Sequence, residues 1–355
     1  ARNPGFALVV VLTMALGIGA TTAIFSLFHQ VLAQRLPVSE PDRLVELATS
    51  GPMVGGGSVS AAGDNEHIFS YPMFHDLEEQ QRVFAGLAAH RDFQASVGEV
   101  QQTVVDSGIM VSGGYFNVLG LKPALGRLIG PQDEPRVGES AVVVLSYDYW
   151  RSRFAADPNV IGRTLTVNGA SLAIVGVAPE GFRGTVLGLR PLVFVPITLR
   201  WVMEPWRPSD QDDRRSRWVY LFARLAPGVA LEEASASIDK VYGGILNEVQ
   251  APLWSGVPSG VLEQFKAKRM RLEPGGVKKG LVRNANAEPL AMLLGITALV
   301  LTIVCVNIAG LLLVRGLSRA GELAIRVAIG ASRLRLVRQS FLDGGVLAAI
   351  GAAAS

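Results

Sequence analysis

A chain of 355 residues that is 49% hydrophobic, only 18% charged and +3 in formal net charge holds stretches too apolar for an ordinary water-soluble protein. The positive balance does not indicate nucleic acid, because setting aside Arg2, Glu322, Asp343 and the arginines of 315–338 leaves a remainder of about −2. The one cysteine, Cys305, lies inside an apolar stretch, which excludes a disulfide-stapled extracellular scaffold.

The first element is an uncharged run from Asn3 to Gln34. A bilayer core of about 30 Å takes about 20 apolar residues in a helix, so this run is long enough to span. It is also longer than the apolar part of a cleaved signal peptide. Ala15, Gly17, Gly19 and Ala23 bring small residues to one face, and Ala15, Gly19 and Ala23 at four-residue spacing are the candidate positions for close helix packing.

After Arg35 the chain turns polar. RLPVSEPDRLVEL leaves through prolines into a strand, and the glycine-rich 51–64 reads as a flexible loop. Ser70 as N-cap, Pro72 in the first turn, and Phe74, Leu77 and Phe84 at helical spacing predict a helix packed on a sheet. A strand and a short helix near Tyr115–Leu119 follow, then AVVVLSYDYWRSRF as a buried strand running into a helix. GRTLTVNGASLAIVGVAP predicts a hairpin, with Asn168 and Gly169 supplying the positive φ angles of its turn. PLVFVPIT and WVYLFARL read as strands, 201–218 as a solvated loop in preference to a partner-binding one, and PGVALEEASASIDKVYGGIL as a helix with an acidic first turn. Strands followed by helices in both halves imply an α+β domain with its middle region inserted as a lobe.

A second uncharged run extends from Pro289 to Val314, and arginines then dominate 315–338. Such a bias places that segment in the cytoplasm, puts 35–289 outside and returns the N-terminus inside. Glu322 and Arg326 stand four apart in the favourable order, with Leu323, Ala324, Val327 and Ala328 on another side. That pattern predicts a short amphipathic helix, ended by Gly330 and followed by Ser332 as the cap of the next. It fits docking to a cytoplasmic partner better than headgroup binding alone, which needs neither the ion pair nor the break. The apolar run after Asp343 reads as the start of a third span, cut short, so the chain is expected to be part of a longer permease.

No segment supplies the G-x-x-x-x-G-K-[ST] phosphate loop; GGVKKG at 275–280 has neither its spacing nor its context. His67 and His75 match no familiar metal-ligand spacing, and no G-x-S-x-G turn occurs. The expectation is a protein that is not itself an enzyme, with no cofactor and no metal.

ELAIRVAIGAS (322–332) resembles the segment after the second span of the MacB/FtsX-like ABC transporter permeases. The N-terminal run with LPVSEPDRLVEL is similar to the opening of the duplicated orphan permeases described from acidobacteria. GGYFNVLGLKPALGR, VVLSYDYWRSRFAADPNVIGRTLTVNG, AIVGVAPEGFRG and ARLAPGVALEEA are similar to that family's periplasmic core domain. The resemblance implies an α+β periplasmic domain of two lobes, with mixed sheets and helices, inserted between transmembrane α-helices of a bacterial inner membrane. The expected organisation is a first transmembrane helix at 1–34, the periplasmic domain at 35–285 with an inserted lobe at about 111–214, a second transmembrane helix at 286–314, a coupling segment at 315–338 and the third helix from 339. It also implies a cytoplasmic ABC ATPase partner touching Glu322, Ile325, Arg326, Gly330 and Ala331. A permease dimer or a duplicated second half, membrane lipids and a periplasmic partner complete the expected surroundings. The functional expectation is coupling of ATP hydrolysis to periplasmic change, for export or mechanotransmission. The alternatives are a membrane-anchored sensor and a non-transporting regulator of an envelope enzyme. A sensor would need an output module where the new apolar run instead begins near Gly344.

Overall fold

The computed structural model describes residues 36–51, 54–98, 103–134, 141–206, 210–254, 256–276 and the helix at 281–318, together with residues 15, 17–19, 21–24, 26 and 321. The chain forms two compact units, one from 34–284 and one from 1–33 with 285–355.

Among the described residues of the larger unit thirteen strands follow one another: β1 Leu44–Ser50, β2 Gly56–Gly57, β3 Ile68–Phe69, β4 Phe84–Val97, β5 Val104–Val111, β6 Leu125–Gly126, β7 Val142–Leu145, β8 Thr164–Val167, β9 Ala170–Val177, β10 Val193–Pro196, β11 Ser216–Arg217, β12 Val219–Leu225 and β13 Arg269–Pro274. The helices among them are α1 Tyr71–Gln80, α2 Tyr115–Val118, α3 Tyr147–Phe154, α4 Arg200–Met203, α5 Leu231–Ile245 and α6 Ser259–Lys266. Eleven strands make one mixed sheet in the order β13-β1-β12-β4-β5-β10-β7-β9-β6, with β3 on β12 and β8 on both β4 and β9; β2 and β11 pair separately.

The length of β4 sets this topology. Its first half pairs with β12 and its second half with β5, while its last residue meets β8 through Val97 and Val167. The pairings β4-β5-β10-β7-β9-β8 therefore return to β4 and close a ring, and β12, β1 and β13 extend from β4 as an open wing. Asn168 seals the closure. Its N–H reaches Ser96 O at 2.9 Å, its Oδ1 accepts from Ser96 N at 2.7 Å, and its Nδ2 donates to Gln94 O and Met203 O. Asn168 at φ 46° and Gly169 at φ 83° give the hairpin turn the conformation that Asn-Gly favours. The segment anticipated as a lobe at 111–214 supplies β6 to β10, which share the sheet with strands from both sides of it.

Both faces of the sheet are covered. Along β12, Val219, Leu221, Ala223 and Leu225 enter one core cluster and Phe222 enters the other, as a period of two dictates. The first cluster is completed by α1 and α5, through residues such as Phe74, Leu77, Ile238 and Tyr242. The second is aromatic, with Tyr115, Phe116, Phe182, Phe194 and Phe222 in edge and stacked contacts. Ser70 and Ser146 cap α1 and α3 by accepting from Met73 N and Tyr149 N.

Two expectations need correction. Helix α1 stops at Gln80, and Phe84 opens β4 instead of continuing a helical face, because Gln81 is extended at φ −71°, ψ 154°. The stretch 201–218 is not simply solvated: Met203, Glu204, Gln211 and Trp218 are buried in it.

In the smaller unit the described residues between 15 and 26 are helical, as are those from 285 to 318, which belong to α7, Leu281–Ser318, 38 residues or about 57 Å. Counted over the described residues alone, no helix is long and apolar enough to cross a membrane. The uncharged run from Pro289 to Val314 lies within α7, so a spanning role rests on the sequence. Gly17 is buried, and a Cβ placed there would lie 3.4 Å from Val304.

Candidate functional site where the chain enters and leaves the domain

The residues that join the larger unit to the rest of the chain lie side by side. Leu36 N donates to Gly276 O at 3.0 Å, and Gly275 N donates to Leu44 O at 2.8 Å. The outgoing strand β13 is antiparallel to β1, directly after the incoming segment. Both glycines are required by close backbone approach: a Cβ on Gly276 would lie 2.4 Å from Pro41 O, and one on Gly275 would lie 3.0 Å from the carbonyl carbon of Val45.

Two arginines clamp this junction. Arg224, on buried β12, donates from Nε to Val118 O at 2.7 Å, from Nη2 to Ser39 O at 2.8 Å and from Nη1 to Glu40 O at 3.2 Å. Burial and then the neighbouring Arg43 lower its pKa, Glu40 opposes them, and a guanidinium so placed stays charged. Arg43 donates to Leu225 O from Nε and Nη2 and to Glu40 Oε2 at 2.8 Å from Nη1. Between them Glu40 sits in the left-handed region at φ 45°, ψ 60°, just before the 3₁₀ turn Pro41–Arg43. For a non-glycine residue that conformation costs about 1–2 kcal/mol, and it persists here because both its carbonyl and its carboxylate are held. A cavity of about 20 Å³ lies behind the junction, lined by Leu36, Leu44 and Gly275 and by the polar side chains of Glu46, His67, His90 and Tyr220.

A second polar cluster ties two long loops to β4. Arg91, 2% exposed, donates to Ser58 O and Trp218 O and pairs with Glu204 at 3.5 Å. Arg200 pairs with Glu204 at 3.7 Å and with Asp210, and its guanidinium stands 3.8 Å above the ring of Trp218. The next β4 residue, Asp92, accepts from Ser60 Oγ and from the N–H groups of Ala61 and Ala62. The glycine-rich loop is therefore anchored, with the segment Ser58–Ala62 bound to β4.

Among the described residues no group of three or more His, Cys, Asp or Glu could hold a metal ion. His75 instead packs edge-on against Tyr71 at 4.6 Å and faces Glu78 at 3.6 Å. Of the positions proposed for helix packing, Ala15 and Gly19 are half-buried and Ala23 is exposed. Glu322, Ile325, Arg326, Gly330 and Ala331 lie outside the described residues. Sequence reading missed Arg224 and Arg91; Arg224 is an arginine set in an otherwise apolar strand pattern, which is the available signal for a buried clamp, whereas Arg91, between His90 and Asp92, offers none.

Comparison with known proteins places this geometry. The family model described as MacB-like periplasmic core domain matches residues 7–241. The macrolide export ATP-binding/permease protein MacB of Burkholderia thailandensis is 23% identical over 264 residues, which is 70% of this chain and 34% of that protein. The chain thus spans about a third of the length of that curated relative. Among solved structures, the periplasmic region of MacB from Actinobacillus actinomycetemcomitans aligns at TM-score 0.42 with 16% identity, over 59% of this chain and 85% of that one. A domain of a putative permease from Porphyromonas gingivalis aligns at TM-score 0.43 with 16% identity, over 67% and 91%. The family match covers well over half of the sequence and includes every strand of the ring, so the chain belongs to the MacB/FtsX-like permease family through its MacB-like periplasmic core domain.

Proposed function

We propose that this chain is permease sequence of an ABC-type transporter, coupling ATP hydrolysis by a separate cytoplasmic ATPase to rearrangement of its core domain in the periplasm. In this reading 1–34 and 286–314 cross the inner membrane. Residues 315–338 dock on the ATPase through Glu322, Ile325, Arg326, Gly330 and Ala331. The observation that carries it is the junction. The two connections to the domain leave it hydrogen-bonded to each other, from Leu36 N–H to Gly276 O, so a relative movement of the helices they lead to would load one small, clamped region.

The absence of Asp, Glu, Lys and Arg from both apolar runs supports a lever in preference to a charged aqueous path. The paired junction suits both export and mechanotransmission, because each requires the domain to change shape when the helices move. The test is affinity purification of the full-length protein in mild detergent beside an Arg326→Glu version. An ATPase chain retained by the first and lost from the second is the expected result. A well-folded protein that retains no ATPase in either form would contradict the proposal and favour the sensor reading.

A further inference from the structure

Beside the junction, His67 stands between carboxylates brought from different parts of the fold. Its Nδ1 lies 2.6 Å from Asp64 Oδ1, and its Nε2 lies 3.4 Å from Glu273 Oε2 on β13. Its side chain is only 11% exposed. Both neighbours are acceptors when ionised, so both ring nitrogens must carry hydrogen for both contacts to be attractive. A neutral ring has one N–H and can satisfy only one of them.

The surroundings favour the imidazolium. In the β1–β13 register Glu46 stands directly opposite Glu273, two like charges across one rung, and Glu46 lines the same cavity as His67. On the same segment as His67, Glu66 pairs with Arg271 at 2.6 Å, and Arg271 also holds Glu273 at 3.1 Å. From the remaining elements, His90 on β4 and the hydroxyl-bearing Tyr220 on β12 face the cavity. Among the described residues the groups that bond to His67, Asp64 and Glu273, the one opposite Glu273, Glu46, and the one beside His67 in the loop, Glu66, are all acids, and Arg271 is the base that holds Glu273.

We propose that His67 is a proton-dependent latch: as an imidazolium it fastens β13, the strand by which the chain leaves the domain, to the Asp64–His67 segment, and loss of its proton releases the strand. Burial by itself lowers the His67 pKa, but the hydrogen bonds to Glu273 and Asp64 and their charges outweigh it, so the net shift is upward from the ordinary value. A raised histidine pKa stabilises the fold fully below the unfolded value of about 6.5, and the contribution is lost as pH rises through the higher folded value. The latch is therefore closed below about pH 6.5 and opens as pH rises through the higher folded value. His90, held neutral by burial with its pKa lowered to about 4, does not change charge in that window. Lys268, lowered to about 8 by burial and then by Arg217, does, and needs its own control.

The test is hydrogen exchange read by mass spectrometry on the full chain in detergent, at pH 6 and pH 8.5, with rates corrected for intrinsic pH dependence. For the wild type, peptides covering 269–276 should lose about tenfold in protection between the two conditions, while peptides from β4 and β5 should not. His67→Gln should exchange at the high-pH rate under both conditions, and Lys268→Met should keep the wild-type response. Glu273→Gln, which removes the carboxylate charge and keeps the strand, should also lose the response, and it serves if the His67 variant is poorly folded. Equal protection at both pH values in the wild type, or a response that survives in His67→Gln or disappears in Lys268→Met, would overturn the proposal.

Discussion

At the scale of single residues, the domain depends on charged groups placed where an apolar pattern leads one to expect none. Arg224 makes three hydrogen bonds to main-chain carbonyls, those of Val118, Ser39 and Glu40. Charged hydrogen bonds are worth about 1.5–3 kcal/mol each against an unmet partner, though several from one side chain do not add, so Arg224→Ala should cost about 3 kcal/mol in chemical denaturation. Arg224→Lys should recover little of that loss, since an ammonium cannot span Val118, Ser39 and Glu40 together. His90 makes a different prediction. Burial pushes its pKa down to about 4, Asp92 opposing this only in part, and its ring is packed among Tyr115, Tyr220 and Phe222. Its folded value lies below the unfolded one, so its contribution is intact above about pH 6.5 and lost as pH falls toward 4, where the unfolded chain takes up the proton first. His90→Phe should flatten that acid limb of a stability–pH curve measured by urea unfolding. A limb as steep as in the wild type would show that other groups carry it.

At the scale of elements, the parts read correctly from sequence are those with local causes. Ser70 caps α1, AVVVLSYDYWRSRF runs from β7 into α3, Asn168-Gly169 turns β8 into β9, and the alternation in VYLFARL becomes β12. Each is decided within a few residues. Ser70→Ala should therefore cost about 1 kcal/mol, read as a lowered denaturation midpoint with an unchanged slope. What stayed hidden depends on contacts distant in sequence. The extent of β4 follows from two successive partners, β12 and β5, and nothing local in FAGLAAHRDFQASV announces fourteen residues of strand. Strand β13 exists because β1, more than two hundred residues earlier, offers it an edge. The loop at 201–218 seemed solvated because its charges are visible in sequence, whereas the pairing of Glu204 and Asp210 with Arg91 and Arg200 is visible only in space. Phe84 was assigned to a helical face because its spacing fits both periods, and only the extended Gln81 decides between them.

At the scale of the whole molecule, one topological fact organises the account. A sheet that closes into a ring through β8 is stiff, and the wing β12-β1-β13 connects that ring to the two segments that join the domain to the rest of the chain. Motion introduced at Leu36 and Gly276 would reach the ring through β12 and the Arg224 clamp, not through a flexible linker. The family was legible from motifs within its core domain such as GGYFNVLGLKPALGR; the junction was not, because its partners, Ser39, Glu40, Val118, Arg224 and Gly276, are scattered along the chain. The most direct measurement is hydrogen exchange of the detergent-purified protein in complex with the cytoplasmic ATPase proposed for it, with and without a non-hydrolysable ATP analogue. The account predicts that protection changes at 36–44 and 269–276, with the ring strands β7 and β9 unaffected. A nucleotide-dependent change elsewhere in the domain with none at the junction would contradict it.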